Sequence, residues 1–182
     1  MKTVEAIKLF HERDSRCNRY LYRSRELGML FDEKGNTLRS TIKRLLSEGV
    51  LSRVARDVYF YEFSHPRDSV IGRIAVFLRP GELTYESLES AASQWGVISQ
   101  IPLDRIMCVT GGAAGEVRTR FGVIDYEHTD EGASLIVDEI ADREPRNALP
   151  IASKERCISD LLKYGRSVEL IDWEEVNDGG RF

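Results

Sequence analysis

The segment that most constrains the fold is residues 37–61, which read TLRSTIKRLLSEGVLSRVARDVYFY. Its first half carries apolar residues at the spacing of one helix face, namely Leu38, Ile42, Leu45 and Leu46. Gly49 follows these residues, and glycine commonly ends a helix in the left-handed conformation. Residues 50–54 and 58–63 then alternate in polarity as the two strands of a hairpin do. The segment therefore predicts an amphipathic helix that is followed directly by a β-hairpin.

Two shorter helices are predicted before this segment. Thr3 is suited to cap a first helix over residues 4–12, and Ser24 is suited to cap a short second helix. Asn36 or Thr37 is suited to cap the third helix, after a polar turn that contains glycine. Three helices followed by a hairpin is the order of a winged helix-turn-helix, in which the third helix lies in the major groove of DNA and the wing contacts the backbone. The N-terminal part is therefore expected to be a winged helix-turn-helix domain.

The polar face of the third helix and the tip of the hairpin are both basic. We predict DNA contacts for six residues of these elements: Arg39, Ser40, Lys43, Arg44, Arg53 and Arg56. No acidic residue lies between Asn36 and Ser47, so nothing within the helix neutralises its positive face. Arg39, Ser40 and Lys43 are expected near the groove, and the other three arginines near phosphates. The alternatives are an ordinary solvated helix face, or a winged helix that binds protein.

Charge is divided unevenly along the 182 residues of the chain. Residues 1–67 contain 14 lysines and arginines against 9 acidic residues, which gives a net charge of +5. Residues 68–182 contain 12 against 21, which gives −9, and the whole chain carries −4. Such segregation lets one domain present a positive field to a polyanion although the chain is acidic overall. The turn-forming sequence SHPRD marks the boundary, and we predict a DNA-binding domain of residues 1–66 and a second domain of residues 67–182.

The second domain is predicted to mix helices and strands. Thr84 is suited to cap a helix that ends at Gly96, with an apolar face formed by Leu88, Ala91, Ala92 and Trp95. Residues 105–110 and 117–128 predict strands, and residues 133–137 predict a further strand. The expected fold class is therefore α+β, with an N-terminal winged helix-turn-helix followed by a mixed α/β domain.

One more helix is predicted near the C-terminus. Ser153 is suited to cap a helix over residues 154–164, and Gly165 is suited to end it. Four residues of this helix are expected to face the core: Cys157, Ile158, Leu161 and Leu162. Because these residues share one apolar face, we expect the helix to be architectural and not catalytic.

Few residues in the chain suggest chemistry. The three cysteines form no Cys-x-x-Cys pair, and no histidines have the spacing of a metal site. The segment TGGAAGE lacks the Gly-Lys-Ser/Thr ending of a phosphate-binding loop, and we interpret it as the loop of a hairpin. We therefore expect no metal, no cofactor and no catalytic residues. No apolar run approaches the roughly 20 residues of a membrane span, and the N-terminus carries Glu5, Glu12 and Asp14 where a signal peptide would have no acidic residues, so we expect a cytoplasmic protein.

Several stretches of the chain together resemble one known family. They are RPGELTYESLESAASQWGVISQIPLDRIMCVT, FGVIDYEH and LPIASKERCISDLL, which follow the predicted winged helix in this order. The most specific parts are Tyr85-Glu86-Ser87-Leu88 with Gly96-Val97-Ile98, and the spacing of Ala152, Glu155 and Asp160. In these stretches, the chain from about Val4 to Leu162 resembles the AbiEi-type antitoxins of type IV toxin–antitoxin systems. Asp57 and Lys154 depart from the family pattern, which has glycine and proline at these places.

The resemblance implies a transcriptional autorepressor whose N-terminal domain binds repeats in its own promoter, where a dimer would match such repeats. It also implies that the C-terminal domain supports antitoxicity against a nucleotidyltransferase toxin, without a stable complex between the two proteins. The residues alone lead only to a DNA-binding domain joined to an acidic α/β domain. Three alternatives stay open. They are a direct inhibitor that masks a basic toxin surface, an enzyme or RNA-binding factor that uses the same basic region, and a winged-helix regulator of an unrelated operon.

Overall fold

The structure is a computed structural model, and it describes residues 1–100, 103–141 and 148–178. The chain is an α+β protein, as the sequence predicts. It divides into two compact units, Met1–Arg67 and Asp68–Phe182, and the first of them ends one residue beyond the predicted boundary.

The first unit combines three helices with a small sheet. In chain order its elements are α1 (Thr3–Cys17), β1 (Leu21–Tyr22), α2 (Ser24–Phe31), α3 (Gly35–Ser47), β2 (Leu51–Ala55) and β3 (Val58–Tyr61). The sheet has the order β1-β3-β2, and both neighbouring pairs are antiparallel. The three predicted helices and the hairpin are confirmed, and β1 is a third strand that the sequence pattern does not predict.

The helices of this unit begin earlier than predicted. The residues that we expected to cap them lie inside the helices instead: Thr3, Ser24, Asn36 and Thr37. The backbone amide of Lys2 donates to the Glu5 carboxylate at 3.0 Å at the start of α1. The amide of Arg23 donates in the same way to Glu26 at 2.7 Å at the start of α2. Glutamates in the first turn therefore bind the amides that precede α1 and α2.

The core of the first unit is rich in aromatic side chains. Phe10 of α1 lies with its ring centroid 5.0 Å from that of Tyr22, 5.6 Å from Phe31 and 4.9 Å from Tyr61. Helix α3 adds Ile42 and Leu45, which are both buried. Large aromatic rings bury much apolar area and gain further from edge and offset contacts. The core thus holds α3 by its apolar face and leaves its polar face in solvent.

The second unit contains a six-stranded sheet with helices packed against it. In chain order its helices and strands are α4 (Val70–Leu78), β4 (Thr84–Glu86), α5 (Leu88–Gln94), β5 (Arg105–Thr110), β6 (Gly115–Thr119), β7 (Gly122–His128), α6 (Ala133–Ile136), β8 (Ile140–Ala141), β9 (Ile151–Ala152), α7 (Lys154–Tyr164) and α8 (Trp173–Asp178), with 3₁₀ turns at Val137–Glu139 and Val168–Leu170. The strand order is β6-β7-β5-β4-β9-β8, with parallel pairing of β5 with β7 and of β4 with β9. In the part of the chain that the structure describes, no helix has both the length and the apolar content needed to cross a membrane.

The prediction that Thr84 caps a helix is wrong. Thr84 lies in β4, opposite Thr110 of β5, and the two hydroxyl oxygens are 2.8 Å apart. Pairing with β5 therefore overrides the local tendency of threonine to cap a helix, and α5 begins only at Leu88. The residues predicted to form the apolar face of α5 include three that are buried: Leu88, Ala91 and Ala92. Trp95 is 41% exposed, although its indole N–H donates to the carbonyl of Ala152 at 2.9 Å.

The strand predictions after residue 111 also need correction. Residues 117–128 form most of two antiparallel strands, β6 and β7, because the chain turns back between Thr119 and Gly122. Strand β7 lies between β6 and β5 in the sheet. The glycine-rich segment therefore connects β5 to the outer strand β6, with which β5 does not pair, and it is not a hairpin loop. Residues 133–137 are helical and not a strand. Within this apolar run only Ile136 is buried, so the run does not form a strand of the core.

Helix α7 begins and ends as the sequence predicts. The Ser153 side chain accepts a hydrogen bond from the Arg156 amide at 3.1 Å, and Gly165 ends the helix with a φ of +62°. Cys157 and Leu161 are buried and Ile158 is partly buried. The prediction that Leu162 faces inward is wrong, because this side chain lies about 100° around the helix from Leu161 and is 51% exposed.

Leu161→Ala is expected to lower the free energy of unfolding by about 2 to 5 kcal/mol, because the side chain is fully buried and its truncation leaves a cavity. Leu162→Ala is the matched control, since it removes the same atoms one position later at an exposed site. We expect it to change the free energy of unfolding by less than about 0.5 kcal/mol. Urea unfolding of both variants measures the difference, and equal losses would contradict this assignment of the buried face.

Candidate nucleic-acid interface

Helix α3 presents a continuous polar face to solvent. The exposed residues of this face, which we call the α3 face, recur at helical spacing: Asn36, Arg39, Ser40, Lys43 and Ser47. The opposite side of the helix carries the buried residues Thr41, Ile42 and Leu45. The α3 face therefore brings together three of the predicted DNA-contacting residues. It also includes Asn36, which the sequence suggested only as a helix cap.

The two cations of the α3 face, Arg39 and Lys43, have no salt bridge or hydrogen bond within the described residues. Some other arginines of the first unit are paired, such as Arg16 with Glu12 at 2.8 Å and Arg19 with Glu26. Helix α3 has no acidic residue that could neutralise its own cations. Unpaired and exposed cations can bind an external polyanion without first breaking an internal bond.

Arg44 lies apart from the α3 face. Its side chain is half-buried, and its Nη2 atom donates to the carbonyl oxygen of Met1. Arg44 follows Lys43 directly, so its side chain leaves the helix about 100° further around. In this structure the guanidinium ties α3 to the segment before α1, which differs from the phosphate-facing position predicted from the sequence.

The hairpin formed by β2 and β3 carries the other two predicted cations. Arg53 and Arg56 are both exposed. Arg56 occupies the two-residue turn together with Asp57, whose φ of +57° lies in the left-handed region. Aspartate tolerates this conformation better than most residues, so the turn forms without the glycine that the family resemblance leads us to expect. Arg56 has no salt bridge or hydrogen bond within the described ranges, and it lies at the tip of the hairpin.

Arg53 is exposed but held by a neighbouring side chain. Its Nη2 atom donates to the Tyr59 hydroxyl at 3.3 Å, and its Cζ atom lies 5.6 Å from the centroid of the Tyr59 ring. The hydrogen bond to Tyr59 raises the pKa of Arg53 above its ordinary value. Sequence reasoning missed Tyr59, because the two residues face each other only through an irregularity in β2 between Arg53 and Ala55.

Asp57 connects the tip of the hairpin to the start of α2. Its Oδ1 atom accepts hydrogen bonds from the backbone amide of Ser24, at 3.1 Å, and from the Ser24 hydroxyl. The Ser24 Oγ atom also lies 3.5 Å from the hydroxyl oxygen of Tyr59. Because Ser24 is the first residue of α2, its amide has no acceptor within that helix, and Asp57 supplies one. The only sign of this contact in the sequence is the absence of glycine at position 57.

In the second unit, residues that carry the family resemblance converge on Asp160. The hydroxyl groups of Tyr85 and Ser87 both donate to its Oδ2 atom, at 3.1 Å and 2.7 Å. One turn earlier on α7, Nη2 of Arg156 lies 2.9 Å from Asp160 Oδ1. All four side chains are buried, and we call them the Asp160 network. The network joins β4 and the start of α5 to α7 within the core of the unit.

The charges around the Asp160 network suit a structural role. Burial raises the pKa of Tyr85, and the charge of Asp160 raises it further. At the edge of the network, the hydrogen bond from Arg156 lowers the pKa of Glu131 to about 2, with help from Lys163. Neither Tyr85 nor Glu131 therefore changes protonation near pH 7, where a general acid or base would have to do so.

The glycine-rich loop at residues 111–114 presents carbonyl oxygens to basic side chains. The Gly112 carbonyl lies 2.8 Å from Nδ1 of His128, and the Ala113 carbonyl accepts two hydrogen bonds from Arg79 at 3.0 Å and 2.7 Å. The amide of Gly111 donates to the carbonyl of Leu83 at 3.0 Å, and the amide of Gly112 donates to the hydroxyl of Thr110 at 3.1 Å. A phosphate cradle needs free amides, so this arrangement does not favour phosphate. Over the described ranges, no cluster of three histidine, cysteine or acidic side chains is placed to hold a metal.

Comparison of the chain with protein-family models and with curated protein sequences gives no match. The feature that most directly suggests a ligand is the set of cations Arg39, Lys43 and Arg56, which have no partner in the part of the chain that the structure describes and lie on one acid-free helix face and one hairpin tip.

Proposed function

We propose that the first unit is a winged helix-turn-helix domain that binds duplex DNA. The observation that carries this proposal is that the exposed cations Arg39 and Lys43 on α3 have no partner among the described residues, in the same unit as a hairpin with Arg56 at its tip. The element order α1-β1-α2-α3-β2-β3 and the antiparallel sheet β1-β3-β2 also support a winged helix. The major groove is wide enough to admit a helix such as α3.

The α3 face would meet the bases in this arrangement. Residues near the start of a recognition helix reach the base edges, and Asn36, Arg39 and Ser40 lie in the first half of α3. Arginine pairs with guanine through two hydrogen bonds, and asparagine pairs with adenine in the same way. Arg39 and Asn36 are therefore the proposed base-reading residues, with Lys43 one turn later.

The hairpin would contact the DNA backbone. Arg53 and Arg56 are proposed to bind phosphates, which fix the orientation of a protein on DNA without reading its sequence. Arg44 is left out of the contact set, because its guanidinium already binds the carbonyl of Met1.

Arg39→Ala is expected to weaken binding to the promoter site by about 1 to 3 kcal/mol and to leave binding to scrambled DNA nearly unchanged. Arg56→Ala is expected to weaken binding to both duplexes alike and to reduce the salt dependence by about one phosphate contact. Anisotropy titrations of both variants on the promoter of the chain's own operon and on a scrambled duplex, at several salt concentrations, measure this contrast. A loss of equal size on both duplexes for Arg39→Ala would show that Arg39 does not read bases.

For the whole chain, we propose a cytoplasmic transcriptional autorepressor, without catalytic residues or cofactor, that acts as the antitoxin of a type IV toxin–antitoxin system. The support is the sequence resemblance over residues 4–162 and the acidic character of the second unit, which makes it unsuited to nucleic acid. The antitoxin would oppose a nucleotidyltransferase toxin encoded beside it.

Co-expression with the product of a neighbouring nucleotidyltransferase gene tests the antitoxin role. Restored growth without a co-purifying complex is the expected result. A stable complex of the two proteins would instead favour a direct inhibitor. Failure to restore growth, together with retained promoter binding, would reduce the proposal to a winged-helix regulator of another operon.

A further inference from the structure

The tip of the hairpin is fastened to α2 by one carboxylate, that of Asp57. We propose that Asp57 is a positioning residue for DNA binding, which holds the hairpin against α2 so that Arg53 and Arg56 are placed for the DNA backbone before DNA arrives. The inference rests on the proposed DNA-binding function of the first unit. It assigns a role to the residue at which the chain departs from the glycine expected in this turn.

The contacts of Asp57 are suited to this role. The turn requires a left-handed residue, which glycine, asparagine and aspartate adopt most readily, and of these only aspartate carries a negative charge. The carboxylate accepts from both the amide and the hydroxyl of Ser24, and hydrogen bonds to an ionised acceptor are the stronger kind. A carboxylate at the N-terminus of α2 is also favoured by the dipole of that helix.

The same contacts continue along the hairpin to Arg53. Ser24 Oγ lies 3.5 Å from the hydroxyl of Tyr59, and this hydroxyl accepts a hydrogen bond from Arg53 at 3.3 Å. We call Asp57, Ser24, Tyr59 and Arg53 the Asp57 latch. The Tyr59 ring is buried, so the latch anchors an exposed cation to the core of the unit. Side chains that are ordered before binding lose less entropy when the complex forms.

Electrostatics alone predicts the opposite effect of removing Asp57. An acidic residue beside phosphate-binding arginines repels DNA, so its loss would strengthen binding if charge were all that mattered. Loss of the latch would instead weaken binding, because the hairpin would have to be ordered at the moment of association. The two explanations therefore differ in sign and can be separated by one substitution.

Asp57→Gly in the full chain is the test variant, since glycine keeps the left-handed turn and removes the side chain that carries the carboxylate. We expect it to bind the promoter duplex about three- to tenfold more weakly than the wild type, through the added cost of ordering the hairpin. Asp32→Gly is the matched control. Asp32 also has a left-handed backbone, with a φ of +51°, and its exposed carboxylate has no partner within the described residues. We expect Asp32→Gly to bind as tightly as the wild type or more tightly. Binding by Asp57→Gly that matches or exceeds that of the wild type would overturn the inference.

Double variants separate positioning from general loss of stability. If the latch acts through the hairpin, Asp57→Gly and Arg56→Ala together should weaken binding by less than the product of their separate effects. Asp57→Gly combined with Arg39→Ala should show the full product, because Arg39 lies on α3 and Arg56 lies in the hairpin beside Asp57. Equal coupling to both arginines would point to a fold that is weakened throughout, and it would count against positioning.

The amide of Ser24 gives a readout that does not depend on DNA. In the wild type and in Asp32→Gly, hydrogen exchange measured by NMR should be slow at this amide, and in Asp57→Gly it should be fast. Fast exchange in the wild type would overturn the inference. If the wild type bound no DNA, the proposed function would fail and the inference with it. If the wild type binds DNA and Asp57→Gly binds equally well, only the inference fails.

Discussion

Replacing Arg39, Lys43 and Arg56 together by alanine is expected to lower the affinity of the chain for its promoter DNA by about two to four orders of magnitude. The variant removes the arginine that we propose to read bases and two further cations, and none of the three has a partner within the described residues. Each lost contact also removes the counterion release that makes DNA binding depend on salt. Titrations at two or more salt concentrations should show both the weaker affinity and a flatter salt dependence.

A second triple variant separates the α3 face from general charge. Lys8, Arg13 and Arg16 are exposed on α1. Their replacement by alanine removes an equal number of positive charges, three, from the same unit. We expect this control to lose less than about tenfold in affinity, because only the long-range field changes. If the two triple variants were weakened equally, binding would follow net charge and the α3 face would not be the interface. Circular dichroism of both variants checks that the helices are retained.

Asp160→Ala is expected to destabilise the second unit by about 3 to 5 kcal/mol, because it removes one partner of a buried ion pair together with the acceptor of two buried hydroxyl groups. Asp160 is fully buried, and its removal leaves Arg156 with one carboxylate fewer. The hydroxyl groups of Tyr85 and Ser87 also lose their acceptor in the core. Chemical unfolding monitored by the fluorescence of the tryptophans, both of which belong to this unit, measures the loss.

Two further variants define the reason for that loss. Asp160→Asn keeps an oxygen acceptor for the hydroxyl groups but removes the charge. Its stability should therefore lie between that of the wild type and that of Asp160→Ala. Glu155→Ala removes an acidic residue from the exposed side of the same helix and should change stability by less than about 0.5 kcal/mol. A small effect of Asp160→Ala would show that the network is not central to the unit.

The sequence alone was sufficient for elements whose formation depends on local patterns. The apolar stripe of α3 and the glycine after it predicted both the helix and its buried face. The cap at Ser153 and the left-handed Gly165 predicted the limits of α7. The hairpin was predictable because its strands pair with each other across a two-residue turn. The exposed positions of Arg39, Ser40 and Lys43 followed from helix period alone, since residues opposite an apolar stripe face solvent.

Contacts between distant segments could not be predicted in this way. Asp160 lies 75 residues from Tyr85, and nothing in either local pattern indicates that their side chains meet. Thr84 has the side chain of a helix cap but pairs with β5, because a strand partner contributes more than a local cap. The parallel position of β7 beside β5 depends on the path of the chain, and the glycine-rich loop was misinterpreted for that reason.

At the proposed interface, helix period predicts which cations share the polar face of α3, whereas contacts with other segments fix the positions of the remaining cations. The guanidinium of Arg44 donates a hydrogen bond to the carbonyl of Met1, and the pattern of a helix cannot predict this contact. A regular two-residue turn would place Phe60 opposite Arg53, but the irregularity in β2 places Tyr59 there. Helix period is a property of neighbouring residues and can therefore be predicted from the local sequence. The position of a bulge, or of an acceptor on another segment, depends on the packing of the whole unit and appears only once the chain has folded.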